Sequence, residues 1–208
     1  MKIKAVIFDM DGVLIDARDW HYESLNAALG LFGHEISRYD HLITFDGLPT
    51  KKKLEMLSLE GGFPRKLHAF VNELKQQYTI ETVFTKCKPI FHHRYALAKL
   101  KGEGYHLAVC SNSVRRSIEI MMEKSGLMEY LDFFISNEDV VNSKPHPEMY
   151  TTAIERMGLS PLECLIVEDN ENGVKAAVAA GAHVLKVENP DDVHYYNIMD
   201  RIKQIEHA

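Results

Sequence analysis

The chain has 208 residues, of which 46% are hydrophobic, and its formal net charge is -6 at pH 7. A sequence of this length and composition can bury a full hydrophobic core, which excludes an intrinsically disordered protein. The modest acidic charge gives no reason to expect a nucleic acid partner, and every apolar run is too short to span a membrane. Residues 1–6 lack the apolar core and cleavage site of a signal peptide, so we expect a cytoplasmic protein. We also expect a monomer or a weak dimer.

The first predicted element is a strand that ends in acidic residues. Residues 3–8 form a nearly continuous apolar run, the pattern of a strand buried on both faces of a parallel sheet. Asp9 and Asp11 follow directly, and Gly12 permits a sharp turn. Ligands of open α/β sheets bind at the carboxyl ends of the strands, where two nearby carboxylates suit a hard cation. An ordinary acidic turn is the alternative interpretation of this stretch.

The next part of the chain is predicted to be entirely helical. Residues 17–33 show apolar side chains at helical spacing, and residues 34–82 continue with helical patterns and no convincing buried strand. Alternating strands and helices resume only at Tyr105. We therefore predict a helical cap domain over residues 17–82, inserted into a core formed by residues 1–16 and 83–208.

The remainder alternates strands and helices. Further strands are predicted at residues 105–110, 133–135, 164–167 and 184–187, with helices between them. This order implies right-handed crossovers. The predicted fold class is α/β, a doubly wound parallel sheet of the Rossmann-like type with an inserted α-helical cap.

Polar residues recur where successive predicted strands end. They are Asp9, Asp11, Ser111, Asn112, Lys144, Glu168 and Asp169. Because the carboxyl ends of parallel strands meet at one edge of a sheet, all of them should face one crevice. Carboxylates for a hard cation, a lysine, a hydroxyl and amide donors together favour a phosphoryl group as the substrate. Asp9 could accept that group covalently, while Asp11 could protonate the leaving oxygen and then activate water.

Each of these residues also has a structural interpretation. Ser111 alone would cap a helix, although a helix N-terminus also attracts phosphate and the serine could do both. Lys144 alone would be a solvated loop lysine. Glu168 and Asp169 alone would be acids favoured by a helix dipole. The separate interpretations do not explain why the residues follow different strands.

Four ordered motifs carry a resemblance to a known family. They are Asp9-x-Asp11-Gly12-Val13-x-x-Asp16, Ser111, Lys144-Pro145-x-Pro147, and Glu168-Asp169 followed by Gly173, Ala176-Ala177 and Ala180-Gly181. The chain resembles the haloacid dehalogenase superfamily over essentially its whole length, and within it the phosphatases and β-phosphoglucomutase-like members with a small helical cap. Dehalogenases of this superfamily lack the second Asp of the first motif, so Asp11 argues against dehalogenation.

The resemblance implies roles for individual residues. Asp9 would be the nucleophile and Asp11 the general acid and base. The implied phosphate- and substrate-binding residues are Ser111, Asn112, Lys144 and Gly47. The implied ligands of a Mg²⁺ cofactor are Asp9, Asp11 through its carbonyl, Glu168 and Asp169.

The predicted cap departs from the β-phosphoglucomutase pattern. Those caps carry Gly-x-x-Arg in the loop that reaches the core site, whereas this chain has Gly47 followed by Thr50 at the expected arginine position. That difference argues against a mutase that handles a bisphosphate. His21 and Lys75 lie near positions that such caps use, but solvated side chains are the commoner case. We also expect His92-His93 at the surface.

The function predicted from the sequence is a Mg²⁺-dependent phosphatase. Its substrate would be a small phosphorylated metabolite, a sugar or polyol phosphate, hydrolysed through an aspartyl phosphate. The alternative is a phosphate-transfer mutase of the β-phosphoglucomutase type. A remote alternative is a non-enzymatic phospho-receiver, which needs neither a cap nor an acid two residues after the phosphate acceptor.

Overall fold

The structure is a computed structural model that describes residues 2–45 and 47–207. The described residues form two compact units. One, the core unit, comprises the chain up to Asp16 and from Cys87 onward, and the other, the helical unit, is Ala17–Lys86. Among the described residues, no helix is both long and apolar enough to cross a membrane.

The core unit is built on a parallel sheet. Its strands within the described ranges are β1 (Ala5–Phe8), β2 (His106–Cys110), β3 (Phe133–Ile135), β4 (Cys164–Glu168) and β5 (His183–Lys186). They lie in the order β3-β2-β1-β4-β5, with parallel pairing throughout. The chain moves outward from β1 to β3 and then crosses back to β4, so the strand order reverses beside β1. Open α/β sheets bind their ligands at such a point.

Helices make up most of the remaining chain. The α-helices are α1 (Arg18–Gly30), α2 (Arg38–Asp40), α3 (Thr50–Glu60), α4 (His68–Lys86), α5 (Phe91–Gly102), α6 (Arg115–Lys124), α7 (Glu148–Met157), α8 (Glu171–Ala179) and α9 (Tyr195–Glu206). Shorter turns are the π-helical His41–Phe45 and the 3-10 segments Arg65–Leu67, Met128–Tyr130, Pro161–Glu163 and Pro190–Asp192.

Both faces of the sheet are covered. Along a strand, successive side chains point to opposite faces. Ala5 and Ile7 of β1 face α7 and α8, in a cluster that includes Tyr150 of α7. The alternate residues Val6 and Phe8 are also fully buried. Helix α5 contacts β2, helix α9 contacts β5, and the two helices contact each other. These observations confirm the predicted doubly wound α/β fold.

The helical unit has a hydrophobic core of its own. Helices α1 and α4 pack together, and the cluster between the helices includes Leu25, Leu29, Leu54 and Val71. Helix α4 continues to Lys86, past residue 82, the predicted end of the cap. This helix therefore extends to Lys86, the last residue of the helical unit.

Two side chains expected at the surface are buried. His93 is 1% exposed, because it lies on the same face of α5 as Ala96, Leu97 and Leu100. The expectation of a surface position was therefore wrong for His93. Lys75 is 7% exposed in α4, and its Nζ donates to Nδ1 of the partly exposed His21 at 3.0 Å.

Candidate active site

The sheet register brings the predicted site residues to neighbouring strand ends. Phe8, the last residue of β1, pairs with Val109 of β2 on one side and with Val167 of β4 on the other. The next residue, Asp9, donates its backbone N–H to the carbonyl of Val167 at 2.9 Å. Asp9 is thereby fixed beside Glu168, as expected for the ends of adjacent parallel strands.

Lys144 connects three of these strand ends. Its Nζ donates to Asp9 Oδ1 at 2.7 Å, to Glu168 Oε1 at 2.8 Å and to the Cys110 carbonyl at 2.8 Å. These contacts use all three N–H groups of the ammonium. Lys144 is 4% exposed, so the alternative of a solvated loop lysine is excluded. The contacts and the nearby carboxylates raise its pKa, although burial opposes the charged form.

A cluster of acids surrounds this lysine. Carboxylate oxygens of Asp9, Glu168 and Asp169 lie within 4.8 Å of one another. Asp9 and Glu168 are buried, and Asp169 is partly exposed. Three carboxylates near one ammonium leave an excess of negative charge, and buried like charges repel strongly. A bound divalent cation would offset that excess, and carboxylate oxygens are the ligands that hard cations prefer.

The electrostatics of Asp9 reflect the same excess. Burial raises the pKa of Asp9 well above its usual value, and the adjacent Glu168 carboxylate raises it further, while Lys144 lowers it. Lys144 binds Oδ1, so Oδ2 is the oxygen that remains to attack or to bind a cation. The carboxylate oxygens of Asp9, Glu168 and Asp169 are ligands that fit a hard cation such as Mg²⁺.

At two positions, only a glycine leaves enough room for the carboxylates of the acidic cluster. A Cβ on Gly12 would lie 2.0 Å from Asp169 Oδ2, and Gly12 has φ of +92°. A Cβ on Gly173 would lie 1.9 Å from Glu168 Oε1. Any side chain at either position would therefore displace a carboxylate of the cluster.

Asp11 is held by the loop that follows β2. Ser113 Oγ donates to Asp11 Oδ2 at 2.9 Å, and Ser111 Oγ lies at 3.5 Å from the same oxygen. The next helix, α6, begins only at Arg115 with Val114 as its N-cap, so Ser111 does not cap it. Ser113 was not predicted from the sequence, although it lies in the same polar stretch.

Asn112 is engaged with the backbone of Lys144. Its Nδ2 donates to the Lys144 carbonyl at 3.2 Å, and its Oδ1 accepts from the Lys144 N–H at 3.1 Å. This pair of hydrogen bonds fixes the loop that carries the lysine. Phosphate binding by Asn112 stays a prediction.

Tyr150 is a site residue that was not predicted from the sequence. It is fully buried in α7, and its hydroxyl donates to Glu168 Oε1, the oxygen that also accepts from Lys144. Lys144 Nζ lies 4.8 Å from the centre of the tyrosine ring. A buried tyrosine generally needs a partner for its hydroxyl, but the sequence does not show which residue that partner is.

Gly47 belongs to the helical unit. It has φ of +68° between the π-helical turn and α3, a left-handed conformation that favours glycine. Its role in substrate binding stays a prediction, as do the roles assigned to the core residues.

Comparisons with known proteins identify the family. The model of the haloacid dehalogenase-like hydrolase family matches residues 6–187. The chain is 28% identical over 196 residues to pyrophosphatase PpaX of Bacillus mycoides, covering 90% of this chain and 84% of that protein. It is 28% identical over 187 residues to the phosphorylated carbohydrates phosphatase of Thermotoga maritima, covering 86% and 82%.

A solved structure agrees in fold. The β-phosphoglucomutase of Clostridium difficile matches with a TM-score of 0.86 at 19% identity, covering 99% of this chain and 100% of that one. At that identity the likeness concerns the fold alone. Since the family model spans most of the chain and includes the strand ends that carry the acidic cluster, the protein belongs to the haloacid dehalogenase-like hydrolases.

Proposed function

We propose that the protein is a Mg²⁺-dependent phosphatase that hydrolyses a small phosphorylated metabolite, a sugar or polyol phosphate, through an aspartyl phosphate. The observation that carries the proposal is Asp9 at the end of β1, with one oxygen held by Lys144 at 2.7 Å inside an acidic cluster. The phosphatases among its relatives support the same reaction class. The helical unit would act as the cap that selects the substrate.

The reaction would proceed in two steps. In the first, Asp9 Oδ2 attacks phosphorus, the bond to the leaving oxygen breaks, and Asp11 gives its proton to that oxygen. In the second, Asp11 takes a proton from water, the water oxygen attacks phosphorus, and the bond to Asp9 breaks to release inorganic phosphate. Lys144 keeps the Asp9 carboxylate oriented throughout.

Mg²⁺ would be held by Asp9, the Asp11 carbonyl and Asp169, with Glu168 adjacent. When bound, it would neutralise negative charge on the phosphoryl group. Glu168 already accepts hydrogen bonds from Lys144 and Tyr150 through Oε1. Its main task in this arrangement would be to anchor Lys144.

A panel of phosphorylated metabolites, assayed for phosphate release with and without Mg²⁺, tests the proposal. We expect turnover of at least one sugar or polyol phosphate, and of para-nitrophenyl phosphate. A phospho-receiver would show no turnover of any of them. Absence of Mg²⁺-dependent release across the whole panel would contradict the proposal.

The mutase is the second candidate, and the likeness to β-phosphoglucomutase in fold favours keeping it. Thr50 stands where the arginine that anchors a distal phosphate would be, and threonine cannot supply that planar, bidentate contact. Incubation with β-glucose 1-phosphate and a trace of the 1,6-bisphosphate, following glucose 6-phosphate and free phosphate together, separates the two. Isomerised product forming much faster than free phosphate would favour the mutase.

A further inference from the structure

We propose that Tyr150 is a positioning residue. Its hydroxyl holds the Glu168 carboxylate in place, so that the Lys144 ammonium donates hydrogen bonds to both Glu168 and Asp9. This inference rests on the proposed function, because its consequence is the orientation of the Asp9 nucleophile. Tyr150 would act only through Glu168 and Lys144.

The geometry is a chain of buried contacts. The Tyr150 hydroxyl donates to Glu168 Oε1, and Lys144 Nζ donates to that same oxygen at 2.8 Å. Lys144 Nζ also donates to Asp9 Oδ1 at 2.7 Å. Three hydrogen bonds thus connect the hydroxyl to the carboxylate that would attack phosphorus.

Glu168 has few donors to satisfy it. It is 0% exposed, so water does not solvate it, and among the described residues the hydrogen bond that its Oε2 accepts is a long one, 3.3 Å from the Asp169 N–H. A buried carboxylate that loses a donor draws more strongly on those that remain. Without the hydroxyl, Glu168 would compete with Asp9 for Lys144 and pull the ammonium away from the nucleophile.

The tyrosine ring alone does not explain the arrangement. Tyr150 packs in the apolar cluster with Met149, Ala153 and Ile154, and phenylalanine would keep that packing. Phenylalanine would also keep the ring beside Lys144 Nζ, now 4.8 Å away. The hydroxyl is therefore the group whose removal tests the inference.

The first experiment compares Tyr150→Phe with a matched control, Tyr195→Phe. The Tyr195 hydroxyl also donates to a glutamate, Glu103, but at an exposed position of the core unit. With a substrate that the wild type hydrolyses, we expect kcat of Tyr150→Phe to fall about tenfold, a typical effect of losing a hydrogen bond to a charged group. KM should change less than about twofold, because a nucleophile held out of line affects the chemical step more than ground-state binding. Tyr195→Phe should match the wild type.

The second experiment needs no turnover. Thermal unfolding of Tyr150→Phe, Glu168→Gln and the double variant, all without Mg²⁺, gives the coupling between the two side chains. If Tyr150 acts through Glu168, the losses in Tm should be clearly less than additive.

The outcomes separate the two proposals. A wild type that hydrolyses nothing overturns the proposed function, while the stability cycle still reports on the contact. An active wild type with unchanged kcat in Tyr150→Phe overturns the positioning role and leaves the phosphatase standing. Additive losses in Tm overturn it too, as does a rise in KM that accounts for the whole effect on kcat/KM.

Discussion

Gly173→Ala should lower both the stability and the activity of this protein, although it replaces glycine by alanine inside a helix. In α8 the change would ordinarily stabilise by up to about 1 kcal/mol through helix propensity. Here the new Cβ would meet Glu168 Oε1 at 1.9 Å and Oε2 at 2.1 Å. Overpacking of a core costs about 1 to 3 kcal/mol, and a lost hydrogen bond to a charged group about 1.5 to 3 kcal/mol. We expect a net loss of about 2 to 3 kcal/mol in the free energy of unfolding.

Thermal unfolding and phosphate release together measure this effect. For a chain of this size the loss corresponds to a Tm lower by roughly 5 to 10 °C. Turnover should fall at least about tenfold, because the displaced Glu168 no longer anchors Lys144. The matched control is Gly102→Ala at the end of α5, where an added Cβ has nothing within 4 Å. If Gly173→Ala were as stable and as active as Gly102→Ala, the steric reasoning would be refuted.

Three further changes test the site and the fold. Asp9→Asn should abolish turnover with circular dichroism unchanged, because it removes the proposed nucleophile without changing side-chain volume; activity near that of the wild type would contradict the proposed mechanism. Asp169→Ala should raise the Mg²⁺ concentration needed for half-maximal activity at least about tenfold, and an unchanged titration would remove Asp169 from the ligand set. Burial lowers the pKa of His93, and the hydrogen bond to the Pro190 carbonyl, which raises the pKa, does not offset the effect of burial. The unfolded chain therefore gains a proton first as pH falls below about 6.5, and stability should drop there by up to about 1.4 kcal/mol per pH unit. Urea unfolding of His93→Gln should show a shallower drop than the wild type, and equal slopes would exclude His93 as the cause.

The sheet and its strand ends were predictable because their pattern is local. Continuous apolar runs mark strands buried on both faces, and the residues after each run must lie at one edge of a parallel sheet. The same pattern predicts that Asp9, Glu168 and Lys144 lie together, and the hydrogen bonds of Lys144 join them. The family could also be predicted, because these residues belong to motifs that occur in the same order along the chain as in the haloacid dehalogenase superfamily.

Side-chain direction was not predictable in the same way. Asn112 was expected to bind phosphate, yet whether its amide turns toward a ligand or toward the Lys144 backbone depends on the fold of a loop from another strand. Tyr150 reads in the sequence as one more apolar residue of α7, since its partner Glu168 is remote along the chain. His93 could have been placed by extending the apolar stripe of α5 by one turn.

The pairing of β1 has a consequence for the order in which the protein assembles during synthesis. Strand β1 is translated before β2 and β4, the strands that it pairs with, which end at Cys110 and Glu168. The helical unit has its own hydrophobic core and can fold while those strands are still unmade. Asp9 is therefore translated well before the residues that hold it in place, so a nascent chain stopped before β4 carries Asp9 without the Val167 carbonyl and the Glu168 carboxylate that lie beside it in the folded core unit.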